Sequence, residues 1–312
     1  MNKIPVVVIY APTACGKTAL TEKLFGKSSL SVLKEKAQVI SADSQSAYKY
    51  LNIGTAKPGK EEQEEVTHHL VDILLPTSQY DVSDFVLRAD SICKDLWSRK
   101  IFPVVCGGSA FYIKCFLQGL PKAPESSPEI RELICKRMEA EGKKKLYEEL
   151  QQVDLVTANK ININDEYRIR RALEVYYTCH KPLSSFERPS SLREQYDFCT
   201  IILEREREDL YNRINLRVEK MFEQGLADEV EELKKMGYDE TTPALKAIGY
   251  SEFFRKDLTT VNQIKSQIKL DSRHYAKKQY TFMKGLQNAV YVDSENFTEI
   301  EKIISDFFKK YI

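Results

Sequence analysis

Short apolar runs recur through the first third of the chain, and each is closely followed by glycine, proline, serine or aspartate. These runs are residues 6–9, 39–40, 70–75 and 104–105. Stretches with helical spacing of apolar positions separate them, which is the pattern of parallel strands joined by helices. The sequence therefore predicts an α/β fold in which helices cover a parallel sheet and ligands bind at the carboxyl ends of the strands.

The pattern changes between residues 120 and 195. Three prolines, Pro121, Pro124 and Pro128, open this stretch, and charged, helix-compatible sequence with few β-branched runs follows them. A strand-like run at 198–203 restores the sheet pattern, and helical patterns continue over 208–235 and 262–284. We therefore expect a catalytic core formed by residues 1–119 and 196–312, and a helical insertion domain formed by residues 120–195.

The composition of the 312 residues is that of a soluble globular protein, with 42% hydrophobic and 30% charged residues, and no apolar run long enough to span a membrane. Seven cysteines without a C-x-x-C pair favour reduced thiols over disulfides or a cysteine-rich zinc site. With no signal-peptide pattern, we expect a cytoplasmic protein. Because 47 basic and 46 acidic residues leave a net charge of only +1, nucleic-acid binding would require local basic surfaces.

The stretch APTACGKT, residues 11–18, lies between the first apolar run and a helical pattern. A turn in this position can present backbone N–H groups and a helix N-terminus to a phosphate. Gly16 allows close approach of the backbone, Lys17 offers a positive charge, and Thr18 offers a hydroxyl suited to Mg²⁺. Ala11 replaces the first glycine of the G-x-x-x-x-G-K-[ST] pattern, so an ordinary helix-capping turn is the alternative.

Polar groups also follow two other predicted strands. Asp43 ends the second run, and Gly107, Gly108 and Ser109 follow the fourth. Because the carboxyl ends of parallel strands share one edge of a sheet, we expect these residues near the phosphate-binding stretch. Asp43 could cap a turn, hold Mg²⁺ or accept a proton.

Two later stretches have amphipathic helical patterns with arginines. At 100° per residue, the apolar side of residues 167–177 contains Ile169, Ala172, Leu173, Tyr176 and Tyr177, and the remainder contains Arg168, Arg170, Arg171 and Glu174. The arginine side could contact RNA phosphates or only solvent. In residues 210–222 the packing positions are Leu210, Ile214, Val218 and Met221, and Arg213 and Arg217 lie beside them.

Taken in order along the chain, these motifs resemble the bacterial tRNA dimethylallyltransferases. The matching stretches are APTACGKT, ISADS, IGTAKP, HHLVDI, PVVCGGSAFY, NDEYRIRRALE, LYNRINLRVEKMFEQGL, AIGY and SRHYAKKQYTF. That family transfers a dimethylallyl (isopentenyl) group to N6 of the adenine on the 3′ side of the tRNA anticodon. The resemblance implies a P-loop nucleotide-kinase-like core whose phosphate loop holds dimethylallyl diphosphate and consumes no ATP.

The resemblance also implies roles for individual residues. Asp43 would accept the proton of the adenine amine, and Thr13 and Lys17 would stabilise the departing diphosphate. The implied diphosphate-binding residues are Ala11, Pro12, Thr13, Ala14, Cys15, Gly16, Lys17, Thr18 and Arg217. The implied tRNA-binding residues are Asp43, Ser44, Gln45, Ser46, Ser109, Arg131, Tyr167, Arg168, Ile169, Arg170 and Arg171. Thr18 would be the protein ligand of a Mg²⁺ cofactor, and tRNA and dimethylallyl diphosphate would be the partners of a monomer without an obligate protein partner.

The chain departs from the family pattern at several positions. The family has Gly, Gln, Thr, Gly, Gln, Arg and Trp where this sequence has Ala11, Ser46, Ser109, His180, His274, Lys278 and Phe282. Ser46 is the most consequential change, because it shortens a side chain expected near the target base. Three alternatives remain: an ATP-dependent phosphotransferase, isopentenyl transfer to a free adenine nucleotide, and a tRNA-binding protein with a decayed site. Intact Lys17, Thr18 and Asp43 favour the enzyme.

Overall fold

A computed structural model describes residues 3–187, 189–286 and 288–312. Its sheet has six strands in the order β3-β2-β4-β1-β5-β6, and all neighbouring strands are parallel. The strands are β1 (Ile4–Tyr10), β2 (Ala37–Ser41), β3 (His68–His69), β4 (Phe102–Gly107), β5 (Tyr196–Glu204) and β6 (Ala289–Asp293). The predicted α/β fold with a parallel sheet is confirmed.

Eleven α-helices accompany the sheet in the described residues. They are α1 (Lys17–Phe25), α2 (Lys60–Glu65), α3 (Val82–Ser98), α4 (Ala110–Gln118), α5 (Pro128–Val153), α6 (Leu155–Ala158), α7 (Glu166–Cys179), α8 (Arg207–Glu223), α9 (Leu226–Lys235), α10 (Val261–Met283) and α11 (Phe297–Phe308). Side chains of Asp81, Asp165 and Thr260 accept backbone N–H groups at the starts of α3, α7 and α10, which fixes where those helices begin.

The central strand β1 is buried on both faces, as its uninterrupted apolar sequence requires. On α8, the buried residues Leu210, Ile214, Val218 and Met221 are the packing positions expected from the sequence. This arrangement directs the remaining sides of α8 away from the core. Among the described helices, none is both long and apolar enough for a bilayer span.

The chain forms two compact units. The core unit comprises residues 1–117 and 192–312, and the insertion unit comprises residues 118–191. The insertion unit is helical and packs α5, α6 and α7 around Ile134, Leu146, Leu150 and Leu173. Gly142, with φ 81°, interrupts the helical backbone of α5. The predicted insertion, residues 120–195, has nearly the same limits, and its role in binding tRNA stays a prediction.

Three details differ from the predicted elements. The strand expected at 70–75 is wrong, because Leu70 and Asp72 have φ values of 65° and 55° and the strand β3 precedes them. The helical pattern over 208–235 is divided into two helices, α8 and α9, since Gly225 lies between them with φ 93°. The edge strand β6 was not predicted, because its alternating pattern is short and only Val292 is buried.

Candidate active site

The loop after β1 and the ends of β2 and β4 line a cavity of about 800 Å³ in the core unit, together with α8 and α10. Thr13, Lys17 and Thr18 line it from the phosphate loop, Asp43 from the end of β2, and Arg217 from α8. The structure thus brings together the residues that the sequence placed at separate strand ends. The volume is within the usual range for small-molecule sites.

The stretch of residues 11–18, here called the phosphate loop, turns sharply between β1 and α1. Ala14 and Gly16 have φ values of 64° and 88°, the left-handed region in which glycine carries no steric cost. This turn allows α1 to begin at Lys17, and the first N–H groups of the helix have no acceptor within it. Those N–H groups, with the helix dipole behind them, can bind an anion.

The ammonium of Lys17 is folded onto the loop. It donates hydrogen bonds of 2.9 Å to the carbonyl oxygens of Ala11 and Pro12. Burial lowers the pKa of Lys17, and Cys106, Cys15 and Asp43 oppose that shift. An ammonium has three donors, so one donor remains for a ligand.

Two arginines of α8 reach the same loop from one helix face. Arg213 Nε donates to Ala14 O at 2.9 Å, and Arg217 Nη1 donates to Thr13 Oγ1 at 3.3 Å. Arg217 Nη2 donates to Thr55 O, also at 3.3 Å. Burial lowers the pKa of Arg217, although the nearby Asp43 carboxylate acts in the opposite direction. The guanidinium is thus held by neutral acceptors.

The cations of the loop lack acidic partners. In the part of the chain that the structure describes, Lys17, Arg213 and Arg217 form no ion pair within 4.0 Å. A charge removed from water without a counter-ion is unfavourable, and an anionic ligand would relieve that cost. The cavity is therefore suited to a phosphate compound.

A buried glutamine, which sequence reasoning missed, joins the loop to the end of β4. Gln279 of α10 is only 4% exposed; its Oε1 accepts the N–H of Thr13 at 3.1 Å, and its Nε2 donates to Gly108 O at 2.7 Å. A Cβ atom on Gly108 would lie 2.7 Å from that nitrogen, so glycine leaves the space for this contact. The sequence does contain one signal for this role: Gln279 is a polar residue at the helical spacing of the buried residues Ala276 and Met283.

The turn that carries Asp43 is fixed by hydrogen bonds. Asp43 Oδ1 accepts the N–H of Gln45 at 2.9 Å, and the N–H of Ser44 donates to Ser109 Oγ at 3.1 Å. The N–H of Ser109 donates in turn to Ala42 O at 3.0 Å. The ends of β2 and β4 therefore hold Asp43 at the cavity wall.

Tyr275 of α10 also lines the cavity and was not among the predicted residues. Burial raises the pKa of Tyr275 to about 12, and the Asp43 charge contributes to the shift. The phenol is therefore neutral at physiological pH. It can donate a hydrogen bond but does not compete with Asp43 as a base.

Three residues predicted to bind diphosphate lie outside the cavity lining. Ala11, Pro12 and Cys15 are buried behind the cavity wall and do not line it. Ala11 donates its N–H to Gly107 O, Pro12 has no N–H, and the Cys15 thiol contacts Tyr280 Oη at 3.9 Å. These three residues support the phosphate loop, whereas Thr13, Ala14, Gly16, Lys17 and Thr18 line the cavity.

Ser46 lies in the turn that carries Asp43. It is almost completely buried, its Oγ lies 2.8 Å from Ser41 Oγ, and it donates to Asp43 O at 3.1 Å. Ser46 both lines the cavity and holds the Asp43 turn, and its contact with RNA stays a prediction. Gln45 does line the cavity, and its buried Oε1 has no hydrogen-bond partner among the described residues.

Comparison with known proteins identifies the family. The sequence profile described as "IPP transferase" matches residues 46–286. A tRNA dimethylallyltransferase of Sulfurihydrogenibium sp. (strain YO3AOP1) is 38% identical over 309 residues, which cover 98% of this chain and 97% of the relative. The chain belongs to the IPP transferase family.

Solved structures of similar proteins agree with this IPP transferase assignment. A tRNA isopentenylpyrophosphate transferase from Bacillus halodurans is 29% identical with a TM-score of 0.69, covering 99% of this chain and 98% of that one. A tRNA delta(2)-isopentenylpyrophosphate transferase from Staphylococcus epidermidis is 32% identical with a TM-score of 0.67, covering 99% and 100%. Fold and sequence therefore lead to the same family.

Within the insertion unit of this IPP transferase, the predicted RNA-binding residues are in different environments. Ile169 is fully buried, so its side chain packs inside the unit, and its part in tRNA binding stays a prediction. Arg171 donates to Ser126 Oγ at 2.7 Å and to Pro124 O at 2.8 Å, and Arg170 donates to Cys135 Sγ at 3.4 Å. These two arginines pack within the unit.

Three other predicted RNA-binding residues of the insertion unit are exposed. Tyr167 is 72% exposed, Arg168 forms an exposed ion pair with Asp165, and Arg131 lies on the exposed face of α5. Exposed aromatic and arginine side chains can contact RNA bases and phosphates. Their contact with tRNA stays a prediction.

Proposed function

We propose that this chain transfers the dimethylallyl group of dimethylallyl diphosphate to N6 of the adenine 3′-adjacent to the tRNA anticodon, releasing diphosphate. One observation carries the proposal: cations that have no acidic partner among the described residues lie at the phosphate loop, and Asp43 lines the same cavity. Membership of the IPP transferase family, whose relatives are named as tRNA-modifying transferases, supports the same reaction.

The loop residues act on the leaving group. As the bond between the allylic carbon and the diphosphate oxygen breaks, negative charge grows on that oxygen. Lys17, Arg217, the Thr13 hydroxyl and the N–H groups at the start of α1 stabilise this charge from fixed positions. Their geometry is set by the fold before the reaction, so little reorganisation is needed.

Asp43 acts on the nucleophile. The lone pair of the exocyclic adenine amine is delocalised into the ring, so the amine must lose a proton as its nitrogen bonds to the allylic carbon. The Asp43 carboxylate accepts that proton and later releases it to solvent. A positioned base of this kind contributes on the order of 10²–10⁴ in rate.

The target adenine must be unstacked before it can react. An adenine within an anticodon loop is stacked on its neighbours, and enzymes that modify a base extrude it into a pocket. Gln45 and Ser44 line the cavity beside Asp43 and would contact the base; the buried amide oxygen of Gln45 has no partner within the described part of the chain. In this pose the amine faces the carboxylate.

The residues present fit a Mg²⁺ ion that would be bound mainly by the phosphate oxygens of the diphosphate substrate. Thr18 supplies a hydroxyl at the start of α1, and among the described residues no cluster of three or more His, Cys, Asp or Glu side chains could hold a metal. Mg²⁺ commonly keeps several waters and binds phosphate oxygens with one or two protein ligands. When bound, the ion would neutralise charge on the diphosphate.

The test is a mass measurement on RNA. The purified chain is incubated with Mg²⁺, dimethylallyl diphosphate and an anticodon stem-loop that carries adjacent adenines on the 3′ side of the anticodon. We expect the RNA to gain one dimethylallyl group, and a matched RNA with purine riboside, which lacks the amine, to gain none. ATP hydrolysis without RNA modification would instead identify a phosphotransferase, and labelling of free adenosine monophosphate would identify a nucleotide prenyltransferase.

A further inference from the structure

Glu229 of α9 lies outside the cavity lining, yet its carboxylate holds a segment of the cavity wall. It accepts the backbone N–H groups of Asn52 at 3.0 Å, Ile53 at 3.0 Å and Gly54 at 3.4 Å. It also accepts the hydroxyl of Tyr250 at 2.6 Å. Hydrogen bonds to a charged acceptor are stronger than neutral ones, so this carboxylate restrains three consecutive residues.

The surrounding packing leaves this segment little freedom. The Tyr250 ring is fully buried at the place where a Cβ on Gly54 would lie, only 2.5 Å from the ring, and the Tyr250 hydroxyl accepts the N–H of Gly54 at 3.0 Å. Gly249 has φ 98°, and a Cβ there would lie 3.0 Å from Gly54 O. Both glycines are needed for this close approach.

The restrained segment continues directly into a contact with the site. Thr55 follows Gly54, and its carbonyl accepts Arg217 Nη2 at 3.3 Å, while Arg217 Nη1 donates to Thr13 Oγ1. Because Arg217 is partly buried and has no ion-pair partner among the described residues, neutral acceptors such as Thr55 O fix its position. A shift of Thr55 would therefore release the guanidinium from the phosphate loop.

We infer that Glu229 is a positioning residue for the diphosphate: by holding residues 52–54 it places the Thr55 carbonyl, and thereby Arg217, at the phosphate loop. The inference rests on the proposed function, since it assigns Arg217 to a diphosphate. It predicts that a change at Glu229 weakens diphosphate binding only as long as Arg217 is present.

The first measurement uses calorimetry of the full chain with inorganic diphosphate and Mg²⁺. We expect Glu229→Gln, which loses the charge and one acceptor oxygen, to weaken diphosphate binding about tenfold. The KM for the RNA should be unchanged. The matched control is Glu232→Gln on the same helix, where the side chain forms an exposed ion pair with Lys235 and diphosphate binding should equal that of the wild type.

A double-mutant cycle separates positioning from a general structural effect. In the Arg217→Ala background, we expect Glu229→Gln to change diphosphate binding less than about twofold, because the side chain through which it acts is absent. An equal loss in both backgrounds would overturn the inference. So would a lower melting temperature with unchanged diphosphate affinity.

Glu229→Asp provides a second variant if the glutamine variant does not fold. It keeps the charge on a shorter side chain that cannot reach all three N–H groups, so we expect about a threefold loss of affinity that also disappears with Arg217→Ala. A wild-type chain that binds no diphosphate would refute the proposed function itself. Wild-type binding that is equal in the Glu229 variants would refute only the positioning role.

Discussion

The core unit and the insertion unit use positive charge in different ways. At the phosphate loop, Lys17 and Arg217 bond only carbonyl and hydroxyl oxygens and have no acidic partner among the described residues. In the insertion unit, Arg137 donates to both Glu141 and Glu149 at 2.6 Å. The first arrangement leaves positive charge for a ligand to neutralise, whereas the second neutralises it within the fold.

This difference explains why a basic motif alone is a weak guide to RNA binding. Arg170 and Arg171 belong to a stretch with three arginines in four residues, yet the structure ties them to a thiol, a hydroxyl and a carbonyl. The aliphatic part and the guanidinium group of an arginine stabilise local structure as readily as they bind phosphate. The hydrogen-bond and ion-pair partners of each cation are therefore a better guide to RNA binding than the number of cations in a motif.

The largest effect should follow from removing the base and keeping the cations. Asp43→Asn has nearly the same shape, so we expect single-turnover RNA modification to fall on the order of 10²–10⁴-fold. Diphosphate binding should not weaken, because a negative charge leaves a cationic cavity. Rapid-quench assays and calorimetry on the same protein measure the two quantities. Unchanged turnover would remove Asp43 as the base.

A similarly large effect should follow from removing a cation of the loop. For Lys17→Met we expect kcat/KM for dimethylallyl diphosphate to fall about 10²–10³-fold, as for loss of a preorganised transition-state donor. Lys27→Met, which removes an exposed lysine from the loop after α1, is the control and should leave kcat/KM unchanged. An equal loss in both variants would mean that only overall charge matters.

Two arginines of the insertion unit should separate structural from RNA-binding roles. We expect Arg171→Ala to lower the free energy of unfolding by about 1–3 kcal/mol, because a buried hydroxyl and carbonyl lose their donor. Arg168→Ala should change the free energy of unfolding by less than about 0.5 kcal/mol. It should, however, reduce the slope of log RNA affinity against log salt concentration by about one. Chemical denaturation and RNA titrations at several salt concentrations measure both. The reverse pattern would contradict the assignment.

The smallest effect concerns acid stability of the insertion unit. Bonds from Arg137 and Lys145 lower the pKa of Glu141 from 4.5 to about 2. Burial alone would raise the pKa of Glu149, but bonds from Arg137 and Tyr177 lower it overall. A carboxyl group whose pKa is lower in the folded protein than in the unfolded chain stabilises the fold at pH values above its unfolded pKa. This contribution is lost as the pH falls from about 4.5 towards 2. The midpoint of chemical denaturation should decline with pH in that range, and it should decline less steeply for Glu149→Gln than for the wild type. Equal slopes of midpoint against pH in the two proteins would contradict the expectation.

The sequence predicted the centre of the fold better than its edges. Strands β1, β2 and β4 are buried, so their apolar runs and the glycine, proline, serine or aspartate close after each are visible in the sequence. Strands β3 and β6 lie at the two edges of the sheet, and neither has a buried run. Pairing with a neighbour, which no local pattern encodes, makes them strands.

The same distinction applies to the site. Lys17 and Asp43 could be predicted, because each belongs to a short motif beside a predicted strand end. Gln279 and Glu229 could not, since they act on backbone groups of residues 266 and about 176 positions away in the chain. Contacts of that kind depend on how the elements pack and leave no periodic signal.

Binding of dimethylallyl diphosphate to three forms of the full chain tests the central claim most directly. In calorimetry with Mg²⁺, the wild type and Arg168→Ala should bind the donor with equal affinity, because Arg168 is paired with Asp165 in the insertion unit. Arg217→Ala should bind it at least tenfold more weakly, since a partly buried cation without an acidic partner among the described residues has been lost. Equal affinity of Arg217→Ala and the wild type would contradict the claim that the unpaired cations of the core unit form the diphosphate site.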